Sequence, residues 1–208
     1  LDARDAGRLN APAWLWTALL QDYGVEKALD ILAAHFDEAA IDITVKSNPE
    51  HWMSVLEADL LPTGSLRRRQ GGFIPNLPGF ESGAWWVQNA AAALPVQLMG
   101  PLQGKHVIDL CAAPGGKTAQ LAAAGAKVIA VDRSAARMTR LKENMTRLHM
   151  PDVETVIADG AVWQPETPVD AVLLDAPCTA TGTIRHQPDI LHLKKPADQE
   201  KLAGLQKR

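Results

Sequence analysis

The sequence predicts an α/β protein built on a parallel, doubly wound sheet, preceded by a smaller α+β domain. Three observations carry this. From residue 84 onward, short apolar strand-like runs alternate with helical patterns, an order that calls for right-handed crossovers between parallel strands. Before residue 84 the chain reads instead as helix, alternating strand, helix and turn-rich short strands. Between the two lies IPNLPGFESG, residues 74–83, with two prolines and two glycines in ten positions. Such a stretch is a loop, so domains are expected at 1–83 and 84–208.

Each element follows from its local pattern. Pro12 suits the first turn of a helix, and Leu15, Leu19, Tyr23, Ala28, Leu32 and Phe36 recur at steps of three to five. The spacing predicts helix over 13–36, broken in two at Gly24. AIDITVKS, residues 40–47, alternates Ile41, Ile43 and Val45 with polar neighbours and predicts a half-exposed strand. PEHWMSVLEADLL (49–61) predicts a helix, and TGSLRRRQGGFI a turn with short strands. In the second half the pattern predicts helix over 88–99, strand 106–110, helix 118–124, strand 127–131 and helix 135–148. Strands at 154–157 and 171–174 and a weaker helix after Pro196 complete it.

At 208 residues with 47% apolar composition, the chain can bury a substantial core. No run approaches the eighteen apolar residues of a membrane span, and LDARDAGRLN has neither the basic nor the apolar region of a signal peptide. The chain therefore reads as soluble and cytoplasmic, without a membrane partner, and is expected to be a monomer. Its two cysteines, Cys111 and Cys178, have no Cys or His at metal-ligand spacing, so neither a metal site nor a disulfide framework is expected. Residues 1–85 hold 7 Lys and Arg against 12 Asp and Glu, and residues 86–208 hold 14 against 12. Neither half is basic enough to signal nucleic-acid binding by net charge. RNA would have to meet local clusters: Arg67, Arg68 and Arg69; Arg133, Arg137, Arg140, Lys142 and Arg147; Lys194 and Lys195. On charge alone each reads first as a solvated surface.

The most informative stretch is VIDLCAAPGGKTAQLAAAGAKVIAVD, residues 107–132. CAAPGGKT follows a strand and opens a helix, so small residues let the backbone approach a ligand at a helix N-terminus. It is not a P-loop, because Cys111 stands where the first glycine of G-x-x-x-x-G-K-T belongs, and G-x-G-x-x-G is absent too. Three carboxylates close three successive strands: Asp132, Asp159 and Asp175. The first is placed for ribose hydroxyls, the second for an adenine amine, and the third for a ligand ammonium or a substrate ring. Together they suit a nucleoside with an amino-acid tail, S-adenosylmethionine. Asp after a strand also caps turns, but three in register with the glycine loop favour the ligand.

With LPGFESGAWWVQN, VIDLCAAPGGKT and DAPCTATGTIRHQPDI, the chain resembles the RNA cytosine-5 methyltransferases of the Sun/RsmB type, which modify bacterial small-subunit ribosomal RNA. The likeness covers nearly the whole chain. It implies a Rossmann-like S-adenosylmethionine-dependent methyltransferase domain behind a small RRM-like RNA-binding domain, often after a NusB-like domain. It further implies that Cys111, Ala112, Ala113, Pro114, Gly115, Gly116 and Lys117 form the S-adenosylmethionine loop, with Asp132 on the ribose and Asp159 near the adenine. Asp175 and Cys178 would face the target base; if RNA is the substrate, Arg67, Arg68, Arg69 and Arg185 are the candidate contacts by their charge. In the implied chemistry a thiolate adds to C6 of cytosine, C5 then attacks the sulfonium methyl, and a base removes the C5 proton as the thiol leaves. A carboxyl such as Asp175 near N3 would stabilise charge on the ring.

The sequence also departs from the family's pattern. The attacking cysteine belongs on a later strand, and no cysteine follows Cys178, which by analogy assists product release. Four strands are predicted where the family's sheet has seven, so the chain is expected to be a fragment shortened at both ends. Asn89 stands where Asp is usual, and His186 and Gln187 replace more basic residues. Two alternatives stay open. An amine-directed RNA or protein methyltransferase would share the cofactor fold but carry a polar-Pro-Pro-aromatic motif in place of DAPC. A non-catalytic RNA-binding or scaffold protein would keep the fold as structure.

Overall fold

A computed structural model describes residues 2–208. Contacts divide the chain into two compact units, residues 40–176 and a second made of the residues up to 39 together with 177–208. This partition by contacts differs from the expected domains 1–83 and 84–208. Trp85, Trp86 and Val87 form a strand that pairs with residues 43–45, tying the segment beyond residue 84 to the sheet before it.

In the terminal unit, helix α1 (Ala3–Asn10) packs on α2 (Ala13–Ala33). Helix α1 lies outside the expected elements, and its single buried residue is Gly7. That glycine lets the helices touch, since a Cβ there would lie 2.8 Å from the Leu32 backbone. Gly24, at φ +76°, breaks α2 where expected, a conformation glycine adopts without strain. Ala11, Leu15, Leu32, Ile184, Ile190 and Leu191 make this unit's core.

Unit 40–176 holds two four-stranded sheets. The first is antiparallel, with β1 (Ile41–Val45), β2 (Asp59–Leu60), β3 (Leu66–Arg68) and β4 (Trp85–Val87) in the order β2-β3-β1-β4. Helix α3 ends at Val55 (Pro49–Val55) rather than at 61, because Asp59 and Leu60 pair with Leu66 and Arg67. Ile43, Leu56, Ala58, Leu66 and Trp85 fill the core beneath. The sheet has the four strands of an RRM, but residues 41–87 carry a single α-helix.

Helix α4 (Ala90–Leu98) leads from β4 into the second sheet, starting two residues later than expected because the Asn89 side chain caps it by accepting from Ala91 N–H. The second sheet comprises β5 (His106–Leu110), β6 (Lys127–Asp132), β7 (Glu154–Ile157) and β8 (Ala171–Leu174). All pairs are parallel, in the order β7-β6-β5-β8. Helices α5 (Gly116–Ala123) and α6 (Ala135–Arg147) supply the crossovers β5 to β6 and β6 to β7. This is the expected doubly wound sheet, and its order reverses between β5 and β8. Ligands bind beyond the strand ends at such a switch point.

Three sets of side-chain contacts join the two sheets. Asp42, 4% exposed, accepts from Arg67 Nε at 2.7 Å and Nη2 at 2.9 Å, and from Ala90 N–H at the start of α4. Gln88 accepts from the Thr44 hydroxyl and Trp86 Nε1, and donates to Gln120 of α5, which in turn donates to Ala93 O. Arg147, at the end of α6, lies over the Phe80 ring and donates to the Phe80 and Trp85 carbonyls. Among the described residues no helix is long and apolar enough to cross a membrane.

Candidate active site

The site begins where β5 ends. Cys111 turns the chain at φ +63° and Gly115 turns it again at φ +104°, and between them the Ala113–Pro114 peptide is cis. Gly115 then caps α5 without a side chain. The first N–H groups of a helix lack intrahelical acceptors, so the start of α5 presents donors and the positive end of the helix dipole. A cavity of about 170 Å³ opens here, lined among others by Gln88, Asp109, Cys111, Gly116, Lys117 and Asp175. It lies at the β5/β8 switch point, between the end of β5 and the residue following β8.

Two charged features shape this cavity. Lys117 Nζ donates to Asp175 Oδ2 at 2.7 Å, with the lysine largely covered and the aspartate 59% exposed. Asp109 is fully buried; its Oδ2 accepts from the Thr118 hydroxyl at 2.6 Å, while Oδ1 has no hydrogen-bond partner. Burial pushes the Asp109 carboxyl up to about 6, against the pull of the Thr118 hydrogen bond and the Lys117 charge. Asp109 is not among the residues expected from the sequence; its one local signal is an acid inside the apolar run HVIDL.

Of the residues expected to bind the cofactor, Cys111, Ala112, Ala113, Pro114, Gly116, Lys117 and Asp175 border the one cavity. Gly115 instead packs against α6. Asp132 is buried and already engaged: Oδ1 accepts from Ser134 N–H at 2.9 Å, and Oδ2 accepts from Ala113 N–H at 3.2 Å and pairs with Arg137 at 3.1 Å. Asp159, half-buried, accepts from Ala161 N–H at 3.0 Å. Both bonds two residues ahead are turn-forming contacts of the kind aspartate makes after a strand. Burial, then the Asp132 charge, pushes the Cys111 thiol up, so it stays protonated and acts as a packing group.

The remaining candidates are not among the residues that line this cavity. Cys178 belongs to the terminal unit, where it is exposed and accepts from Ala180 N–H at 3.3 Å. Arg185, in the same unit, donates to Glu38 O. Arg67 is held by Asp42. Arg68 donates to the carbonyls of Leu56, Gln70 and Gly71. Arg69, 76% exposed, pairs with Asp59 at 3.1 Å. Within the triplet, Arg67 and Arg68 thus have intramolecular partners and Arg69 is the most exposed.

Comparison with known proteins agrees with this architecture. The family profile of 16S rRNA methyltransferase RsmB/F matches residues 96–208. A ribosomal RNA small subunit methyltransferase B from Cronobacter sakazakii is 42% identical over 170 residues, covering 76% of this chain and 39% of that protein. The same-named protein of Erwinia tasmaniensis is 45% identical over 149 residues, covering 69% and 34%. The chain therefore spans little more than a third of the length of these relatives. Among solved structures, NSun6 from Pyrococcus horikoshii with SFG superposes with a TM-score of 0.80 at 20% identity, covering 95% of this chain and 78% of that one. At that identity the likeness speaks for the fold.

Proposed function

The chain belongs to the 16S rRNA methyltransferase RsmB/F family, and from that premise we propose that it is the cofactor-holding part of a cytoplasmic enzyme that methylates C5 of a cytosine in small-subunit ribosomal RNA. The observation that carries the proposal is the cavity at the β5/β8 switch point, where a glycine loop, a helix N-terminus and the Lys117–Asp175 pair meet.

The residues present fit S-adenosylmethionine. The unpartnered Oδ1 of Asp109 is a buried acceptor awaiting a donor, and the start of α5 offers donors to a carboxylate. About 170 Å³ is less than a site enclosing a whole drug-sized ligand needs, so we read this cavity as the seat of the amino-acid end. The nucleoside would lie across the tips of β6 and β7, where Asp132 and Asp159 stand. SFG, an analogue of S-adenosylmethionine, accompanies the NSun6 structure and supports this choice. When bound, S-adenosylmethionine supplies an electrophilic methyl group.

Around it, this chain's residues hold charge and exclude water. Lys117 pairs with Asp175 and orients it at the cavity mouth, where the carboxylate can accept from the edge of a target base. Cys178 follows Asp175 by three residues and is read as the thiol that assists product release, with RNA met by Arg69, Arg185 and the exposed cations of α6.

Calorimetric titration of the 208-residue chain with S-adenosylmethionine tests the proposal. Saturable binding at one site is expected, and Asp132→Ala should weaken it by about 1–3 kcal/mol. A chain that melts cooperatively yet takes up no ligand would overturn the cofactor reading.

A further inference from the structure

Helix α6 presents one face to the glycine loop. Arg137, Leu141, Asn144, Met145 and Leu148 follow one another at helical spacing, so they share a stripe. Two polar members of that stripe grip consecutive loop carbonyls. Arg137 Nη2 donates to Ala113 O, and Asn144 Nδ2 donates to Pro114 O at 3.0 Å. Arg137 Nη1 also lies 3.1 Å from Asp132 Oδ2, so one guanidinium joins the β6 carboxylate to the loop backbone. Between the two grips a Cβ on Gly115 would stand 3.0 Å from Leu141 Cγ and 3.2 Å from Met145 Cε.

The loop cannot hold this shape alone. Ala112, Ala113, Pro114, Gly115 and Gly116 carry no polar side chain, and Gly115 caps α5 through its backbone only. Their conformation has to be imposed from outside. The Ala113 and Pro114 carbonyls are occupied by α6, and the Ala113 N–H is donated to Asp132. The donors at the start of α5 remain for a ligand.

We infer that Arg137 and Asn144 are positioning residues of the cofactor site: α6 moulds the glycine loop through them, and cofactor affinity depends on both although neither lines the cavity. This rests on the reading that the loop holds S-adenosylmethionine. The packing of α6 is carried by Met138, Leu141 and Met145, all buried. Arg137 is half exposed and Asn144 half-buried, so affinity and fold stability separate.

The test is titration of the full chain and its variants with S-adenosylmethionine, each paired with a thermal melt. Arg137→Met and Asn144→Leu are each expected to raise the Kd about tenfold or more while still melting cooperatively close to the unaltered chain. Arg137→Lys should recover part of the loss, since it returns the charge to Asp132 but not the fork that also reaches Ala113 O. If Arg137→Met fails to fold, Asn144→Leu, which disturbs no ion pair, still decides the matter. Unaltered Kd in folded variants overturns the inference and leaves the cofactor reading standing. Absence of binding by the unaltered chain overturns both.

Discussion

At the scale of single residues, Asp109 is the group whose environment is most at odds with its chemistry. It is fully buried, hydrogen-bonded on one oxygen only, and titrates near 6. Because its folded value lies above the unfolded one, the folded chain binds the extra proton between about pH 4 and 6. Its contribution to stability is complete below that window and is lost as pH rises through 6. Asp109→Asn removes the ionisation while keeping an acceptor for Thr118. Chemical denaturation should show the variant gaining on the parent across pH 4–6, by about 2–3 kcal/mol at pH 8; a difference independent of pH would refute the assignment. Retaining a costly carboxylate beside the cavity makes sense if a ligand donor completes its hydrogen bonds.

At the scale of elements, the glycine loop and the antiparallel sheet each depend on one contact that local pattern does not reveal. Gly115→Ala places a side chain at φ +104° and within 3.0 Å of Leu141 Cγ. A cost of about 1–3 kcal/mol is expected, read as a lower denaturation midpoint together with weaker cofactor binding. Asp42→Ala leaves the Arg67 guanidinium and the Ala90 N–H without this acceptor. Removing one side of a buried pair costs about 3–5 kcal/mol, and the partly exposed Arg67 sets the lower end as the expectation. A variant melting with the parent would show that the pair does not hold β1, β3 and α4 together.

For the whole molecule, the exposure of the cations separates RNA contact from structure. If the chain binds RNA electrostatically, Arg69→Ala should lower the slope of log affinity against log salt by about 1 without altering the melt. Arg67→Ala should instead lower the melting temperature through Asp42. An unchanged slope for Arg69→Ala would leave it as a solvated surface residue paired with Asp59. Measuring both variants at several salt concentrations distinguishes a phosphate contact from a buried support.

The division between sequence and tertiary structure follows the range of the interactions. Strands 106–110, 154–157 and 171–174 lie where their apolar runs place them, and Gly24 breaks its helix, because strand runs and backbone freedom are local properties. The glycine loop, its position after a strand and before a helix, and Lys117 and Asp175 were legible for the same reason. By contrast, β4 pairs with β1 some forty residues earlier, and short strands that gain their hydrogen bonds so far away leave little local trace. The arginine triplet looked like a basic patch until Asp42, 25 residues from Arg67, claimed its first member. Asp132, spaced from the glycine loop for a ribose, is enclosed by Ala113, Ser134 and Arg137. The sequence by itself determined the alternation of strand and helix and the chemistry of the loop, since both reside in neighbouring residues. Only the tertiary structure decided which charges gain intramolecular partners and which stay open, because a partner for a charge is chosen by proximity in space.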